Sequence, residues 1–259
     1  MYSLIRPLLF RIDPEKIHNR ALFTGKMLGS SSITRNIVKR FFNCEHQMLQ
    51  TTVAGIHFKN PVGLAAGFDK NAELYKILPS IGFGFAELGS FTSQPSAGNP
   101  KPRLFRLPDK KSILVNYGLC NIGAEKACLK LQSAEFKIPI GISVAKTNNP
   151  SILGDKALED YANGFSTLHH LGSYTTVNVS CPSSFDNNTC TYGNPEYLPK
   201  LLKRLDKCKH NKPVFLKIRP DHSLKELDSI LKIAAPYKWV TGFIMGNLKK
   251  DMSDLHYKA

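Results

Sequence analysis

The sequence contains no long apolar run and no clustered cysteines. None of its apolar stretches approaches the roughly 20 residues that a membrane-spanning helix needs, and no signal peptide is recognisable. Its six cysteines form no Cys-x-x-Cys pair and no cysteine–histidine group at zinc-site spacing. These absences argue against an integral membrane protein, a disulfide-bonded secreted domain and a structural zinc module. We therefore expect a soluble or peripheral protein of a reducing compartment, with no metal.

Acidic residues are scarce relative to basic ones. The 259 residues hold 35 Lys and Arg against 20 Asp and Glu, a formal net charge of +15. Such a balance permits binding to nucleic acid, to an anionic membrane surface or to a small anion. The nucleic-acid alternative has little support, because there is a single tryptophan and no interleaving of aromatic with basic residues.

The positive charge is concentrated at the N-terminus, where residues 1–42 carry a net charge of +6 from eight basic and two acidic residues. Asp13 followed by Pro14 is typical of a helix start, and Gly29 of a helix end. Ile33, Ile37 and Phe41 recur at helical spacing after that glycine. We predict an amphipathic helical subdomain over residues 1–45 that contacts a membrane. The alternative is that these apolar faces pack on the protein's own core.

Residues 46–259 show strands alternating with helical segments. The run TTVAGIHF predicts a hairpin that turns at Ala54-Gly55, and six apolar runs of strand length follow it. Helical segments are predicted near residues 71–80, 121–134, 156–170, 195–208 and 223–235. Buried strands separated by helices indicate parallel β/α units. The predicted fold class is therefore α/β, of the (β/α)8-barrel type, with about six units in this chain.

Polar residues follow each predicted strand, at the ends where barrels of this type carry their reactive groups. Lys217 lies inside the apolar run VFLKI, where a charge needs an anionic partner. The alternative is a lysine that extends its ammonium group to water at a strand end. Cys181, in VNVSCPSS, is either an inert buried thiol or a reactive one. For the other five cysteines we expect inert burial.

Several blocks resemble the quinone-linked (class 2) dihydroorotate dehydrogenases. They include FRIDPEKIHN, NPVGLAAGFDK, GNPKPRLFRL, VNVSCPS and LKIRPD, and they span nearly the whole chain. The resemblance implies an enzyme of pyrimidine synthesis that oxidises dihydroorotate to orotate. It further implies FMN as cofactor and a quinone as electron acceptor, with N-terminal helices that face the lipid and admit the quinone.

The resemblance also implies the residues of the site. Cys181 takes the position of the base that removes the substrate's C5 proton. The residues implied to contact the flavin are Ala66, Gly67, Ser90, Ser143, Asn178, Lys217 and Gly246. Those implied to contact the substrate are Lys70, Asn116, Asn178, Ser183 and Asn247.

Some positions depart from the family pattern. Quinone-linked members usually carry serine at the position of Cys181, but a thiol, with a reference pKa near 8.5, loses its proton more easily than a hydroxyl. Val115 stands where the family has an asparagine, and Asn116 is displaced by one place. Ser143 and Ser183 replace two further asparagines. Such replacements shorten the reach of hydrogen-bonding groups to a planar anion.

A complete barrel has eight strands, and barrels commonly hold a cofactor phosphate on the loops after the seventh and eighth. From the six strands counted here we expect a shortened enzyme that binds FMN weakly or not at all and is marginally stable. The alternative function is that of an impaired relative which acts only as a binding or structural protein. The N-terminus resembles bacterial members, which predicts a peripheral location at the cytoplasmic face of the inner membrane.

Overall fold

The computed structural model describes residues 2–181, 196–209 and 211–248. Three helices open the chain: α1 (Tyr2–Phe10), α2 (Pro14–Ser30) and α3 (Ser32–Phe42). Asp13 caps α2 by accepting a hydrogen bond from the Lys16 amide at 2.9 Å. Ser31 separates α2 from α3 and caps α3 in the same way through the Ile33 amide. The helix start predicted at Asp13-Pro14 is confirmed, and α2 ends one residue beyond Gly29.

A small hairpin precedes the main sheet. Its strands are β1 (Thr51–Val53) and β2 (Ile56–Phe58), which pair antiparallel. Ala54 and Gly55 form the turn with φ angles of 53° and 75°. Two consecutive positive φ angles match the right-handed twist of a two-residue hairpin, so the predicted turn is confirmed.

Eight strands follow β2 in the part of the chain that the structure describes: β3 (Gly63–Leu64), β4 (Phe85–Thr92), β5 (Leu104–Leu107), β6 (Ser112–Val115), β7 (Ile140–Ala145), β8 (Tyr174–Asn178), β9 (Val214–Ile218) and β10 (Val240–Met245). Six of them form the main sheet, all parallel, in the order β10-β9-β8-β7-β4-β3. Each of these six is an apolar run identified in the sequence, so the six predicted strands are confirmed. The other two form a separate antiparallel hairpin, β5 with β6.

Four helices cover the outer face of this sheet, close to where they were predicted: α4 (Ala124–Leu131), α5 (Asp155–Leu168), α6 (Leu198–Leu205) and α7 (Leu224–Ala234). Their apolar faces form one core with outward-facing strand residues such as Leu88, Val177 and Leu216. The helix predicted over residues 71–80 is wrong. The Asp69 carboxylate accepts hydrogen bonds from the Glu73 and Leu74 amides, and only a short 3-10 helix at Leu78–Ile81 follows.

The inner face of the sheet carries a second, smaller core. Phe58 from β2 packs with Tyr174 and Phe215, and Phe85 contacts the same cluster. The rings of Phe58 and Phe85 meet edge to face at 5.2 Å. The β1–β2 hairpin therefore closes one end of the sheet's concave face and leaves the carboxyl ends of the strands at the other.

Helix α2 is fastened to the sheet and to the β5–β6 hairpin. Gly25 and Gly29 allow its backbone to approach Leu74 and Ile77, since a Cβ at Gly29 would lie 3.3 Å from Ile77. Glu15 and Arg103 form an ion pair at 2.9 Å in which both side chains are about nine-tenths buried. The predicted subdomain over residues 1–45 corresponds to α1–α3, and α2 packs directly on the remainder of the chain.

Candidate functional site

A cavity of about 860 Å³ lies at the carboxyl ends of the parallel strands. One half is polar and includes Ser90, Asn178, Lys217 and Asn247. The other half is apolar and is formed by α2 and the β5–β6 hairpin. Its wall includes Ile17, Ala21, Leu104, Ile113 and Val115. A concave site with convergent polar groups against an apolar wall is typical of a small-molecule site.

Most residues predicted from the sequence line this cavity. They are Ala66, Gly67, Lys70, Ser90, Asn178, Cys181, Lys217, Gly246 and Asn247. Ser143 is fully buried behind the wall, with its hydroxyl 2.7 Å from that of Ser90. Asn116 is exposed and does not line the cavity; its carboxamide oxygen accepts a hydrogen bond from Asn99. Ser183 lies outside the described residues.

A chain of hydrogen bonds joins the polar residues across four strands. The Asn178 amide group donates to Ser90 at 3.0 Å, and Asn247 donates to the Asn178 carboxamide oxygen at 2.9 Å. Asn247 also donates to the Ser180 hydroxyl, which in turn donates to the Lys217 carbonyl oxygen at 3.0 Å. Because each of these residues forms a hydrogen bond with the next, the polar half of the cavity is held in one arrangement before any ligand enters.

Lys217 has the anionic partner that its place inside an apolar strand demands. Its ammonium group lies 3.5 Å from the Glu87 carboxylate, and both side chains are more than nine-tenths buried. The Thr176 hydroxyl donates to the other Glu87 oxygen at 2.5 Å. The three side chains form a charged layer between the aromatic cluster below and the cavity above.

Lys70 is held by aromatic groups. Its ammonium group lies 3.9 Å from the centroid of the Tyr117 ring and 3.3 Å from Nε2 of His18 on α2. Burial, together with the neighbouring charge of Lys70, lowers the pKa of His18 to about 4. Burial also lowers the pKa of Lys70 from its ordinary value. His18 is therefore a neutral hydrogen-bond acceptor for the ammonium group at neutral pH.

The pKa of Glu15, which forms an ion pair with Arg103, is set by two opposing effects. Burial alone would raise the pKa of Glu15, but Arg103 and Lys101 outweigh it and hold that pKa below its usual range. The Arg103 guanidinium also donates to the carbonyl oxygens of Ala97 and Asn99. Its charge is thus neutralised locally, and it stacks near the Tyr117 ring with 5.0 Å between the guanidinium carbon and the ring centroid.

Two cysteines line the cavity. Cys181 follows β8 by three residues and is partly buried, so its thiol is accessible from the cavity. Cys120 also lines it, near Lys70 and Arg103. The expected burial is wrong for Cys44, which is exposed. It is also wrong for Cys120, which is only partly buried and lines the cavity. Cys190 lies outside the described residues.

Sequence reasoning missed His18, Tyr117 and Cys120. His18 lies in the block FRIDPEKIHN that carried the resemblance, but its contact with Lys70 joins residues 52 positions apart. Tyr117 carries a buried hydroxyl with no hydrogen-bond partner among the described residues. The available signal for Tyr117 was its place directly after Asn116, the asparagine that is shifted by one position from the family pattern.

The cavity fits a flat, partly apolar cofactor. A Cβ added at Gly67 or at Gly246 would meet no atom within 4 Å, so both backbones face open space. Ala66, Gly67 and Gly246 thus present peptide groups on which a ring could lie, and Ser90, Asn178 and Lys217 offer polar groups at its edge. These residues could hold a planar cofactor at the strand ends.

We expect the free energy of unfolding to fall as the pH drops from about 6.5 towards 4, in part because of His18. The unfolded chain, where the pKa of a histidine is about 6.5, takes up a proton in this window that the folded chain does not bind. The variant His18→Gln removes this titration, whereas all other groups remain. Urea denaturation at about pH 7 and pH 5 should show a smaller loss for the variant; equal losses would contradict the assignment.

The sequence of this chain is similar to those of known proteins. The family model described as "Dihydroorotate dehydrogenase" matches residues 48–258. Curated proteins named "Dihydroorotate dehydrogenase (quinone)" are similar to this chain: one from Gloeobacter violaceus is 36% identical over 249 residues, and one from Christiangramia forsetii is 39% identical over 248. These matches cover 95% of this chain and 69% and 72% of the two relatives.

Solved structures show the same architecture. The ligand-free DHODH of Eimeria tenella superposes with a TM-score of 0.77 at 25% identity, covering 92% of this chain and 69% of that one. The complex of that enzyme with ferulenol gives a TM-score of 0.75 at 23% identity, with coverage of 95% and 70%. The parallel sheet is therefore part of a TIM-barrel type fold, as predicted. The chain belongs to the dihydroorotate dehydrogenase family.

Proposed function

We propose that this chain, when loaded with FMN, oxidises dihydroorotate to orotate, with a quinone as the final electron acceptor. Membership of the family supports the oxidation of dihydroorotate. The observation that carries the finer proposal is that a polar half at the strand ends adjoins, within one cavity, an apolar half walled by α2 and the β5–β6 hairpin. A polar substrate can bind in the polar half, and an apolar electron acceptor can bind against the apolar half.

In the proposed reaction the substrate lies in the polar half. Lys70 pairs with its carboxylate, and Asn178 and Asn247 exchange their mutual hydrogen bond for bonds to the ring's amide groups. FMN, when bound, would supply the acceptor for the hydride from C6 of dihydroorotate and a route for two electrons to the quinone. Cys181, as the thiolate, takes the proton from C5, so that the C5–C6 bond becomes the double bond of orotate.

The residues around Cys181 hold it at the cavity. The Ser180 hydroxyl is anchored between Asn247 and the Lys217 carbonyl oxygen, at 2.9 Å and 3.0 Å. The backbone that leads to Cys181 is thereby tied to β9 and to Asn247, the second residue after β10. Such anchoring of the preceding residue limits the positions that the base can take.

The variant Cys181→Ala should keep its affinity for FMN but reduce it with dihydroorotate about 10²–10⁴-fold more slowly, the usual contribution of a positioned base. Single-turnover absorbance of the flavin after anaerobic mixing measures this step. The matched control is Cys44→Ala, which removes an exposed thiol remote from the cavity. An unchanged rate in Cys181→Ala would remove the cysteine from the mechanism.

We further propose that α1–α3 attach the chain peripherally to an anionic membrane, in a bacterial cell the cytoplasmic face of the inner membrane. Among the described residues, no helix is both long and apolar enough to cross a bilayer. The helices instead expose large apolar side chains beside their basic residues. They include Leu4, Leu8, Phe23, Ile33, Phe41 and Phe42. Apolar and basic groups together are what a membrane surface attracts.

Replacing two of these side chains, Ile33→Ser with Phe41→Ser, should weaken binding to anionic vesicles at least tenfold, because each contributes about 1.5–3 kcal/mol when buried. Ile33 is 70% and Phe41 77% exposed, so the fold should tolerate both changes. Vesicle co-sedimentation measures the binding, which salt should weaken. The control is Leu129→Ser, since Leu129 is 67% exposed on α4. Equal losses in the control and the double variant would point to non-specific attraction.

A further inference from the structure

The cations at the cavity are neutralised in different ways. Lys217 is paired with Glu87, and Arg103 with Glu15. Lys70 and Arg106, which also line the cavity, differ: within residues 2–181, 196–209 and 211–248, no carboxylate oxygen lies within 4 Å of either cation. The Arg106 guanidinium donates to the Ile12 carbonyl oxygen, whereas the polar neighbour of the Lys70 ammonium group is Nε2 of His18. A mostly buried cation without a counter-ion is arranged to receive an anion.

Lys70 nevertheless has a fixed position. Nε2 of His18 lies 3.3 Å from the ammonium nitrogen, and the Tyr117 ring centroid lies 3.9 Å from it. An ammonium group has three N–H donors, and His18 accepts one of them. The other two remain for the carboxylate of a ligand.

His18 is itself held in place by the fold. It lies on the second turn of α2, and its ring meets the Phe68 ring edge to face at 4.7 Å. Because α2 is fastened through the buried Glu15–Arg103 pair three residues earlier, the backbone that carries His18 is held close to the β5–β6 hairpin. The helix that walls the apolar half of the cavity thus supplies a contact to the cation of the polar half.

We propose that His18 is a positioning residue for Lys70: its unprotonated ring nitrogen accepts a hydrogen bond from the ammonium group and fixes that group where the substrate carboxylate binds. The inference rests on the proposed function, because it takes the carboxylate of orotate or dihydroorotate as the anion. A lysine side chain loses much rotamer freedom when it is immobilised. An acceptor that immobilises it beforehand removes that loss from the binding step.

The test measures orotate binding by calorimetry to protein saturated with FMN. His18→Leu should weaken orotate binding roughly fivefold, the effect of one hydrogen bond. His18→Gln should bind within about twofold of the wild type, because the glutamine carboxamide oxygen also accepts a hydrogen bond from an ammonium group. The affinity for FMN, measured on the same variants, should not change.

A double-mutant cycle separates positioning from general damage. In a Lys70→Met background, His18→Leu should have no further effect on orotate binding, since the group it positions is gone. The inference is overturned if His18→Leu binds orotate as the wild type does, or if His18→Leu weakens binding equally with and without Lys70. It is also overturned if His18→Gln is as harmful as His18→Leu. Wild-type protein that binds FMN but no orotate would instead reject the proposed function, and this inference with it.

Discussion

A buried ion pair between Glu15 and Arg103 joins the two walls that turn an open sheet edge into a cavity. Glu15 lies in the first turn of α2, and Arg103 directly precedes β5, 88 residues later. Breaking such a pair strands a charge away from water at a cost of about 3–5 kcal/mol. The pair therefore fixes α2 against the β5–β6 hairpin, and with it every group that α2 presents to the strand ends.

The concave side of the sheet is organised in layers of increasing polarity. The aromatic cluster of Phe58, Tyr174 and Phe215 is followed by the charged layer of Glu87 and Lys217, and then by the amides and hydroxyls that line the cavity. Within the charged layer, Glu87 is paired with Lys217 and accepts a hydrogen bond from Thr176, which is what allows these charges to be buried at all. A ligand therefore meets a preorganised polar surface backed by a rigid interior.

Local signals in the sequence were sufficient to predict much of the fold. The Asp13-Pro14 cap, the Ala54-Gly55 turn and the six apolar strands depend on neighbouring residues, and all are present. The β5–β6 hairpin was missed because its short strands are only half-buried and show little contrast between faces. The helix expected over residues 71–80 fails because the Asp69 side chain captures backbone amides that a helix would use.

The candidate site was predictable where strand ends carry polar residues, as at Ser90, Asn178 and Lys217. The role of His18 was not, because it depends on how α2 docks across the sheet. Asn116 lies outside the cavity, where it accepts a hydrogen bond from Asn99, and the neighbouring Tyr117 lines the cavity. Contacts that depend on long-range docking have no local signature in one sequence.

The proposed reaction in this cavity is the oxidation of dihydroorotate through a bound flavin. The most direct measurement is anaerobic mixing of the FMN-saturated wild-type chain with dihydroorotate while the flavin absorbance is followed. The absorbance should bleach, and an added quinone should restore it. Bound FMN that stays oxidised in excess dihydroorotate would contradict the proposed reaction.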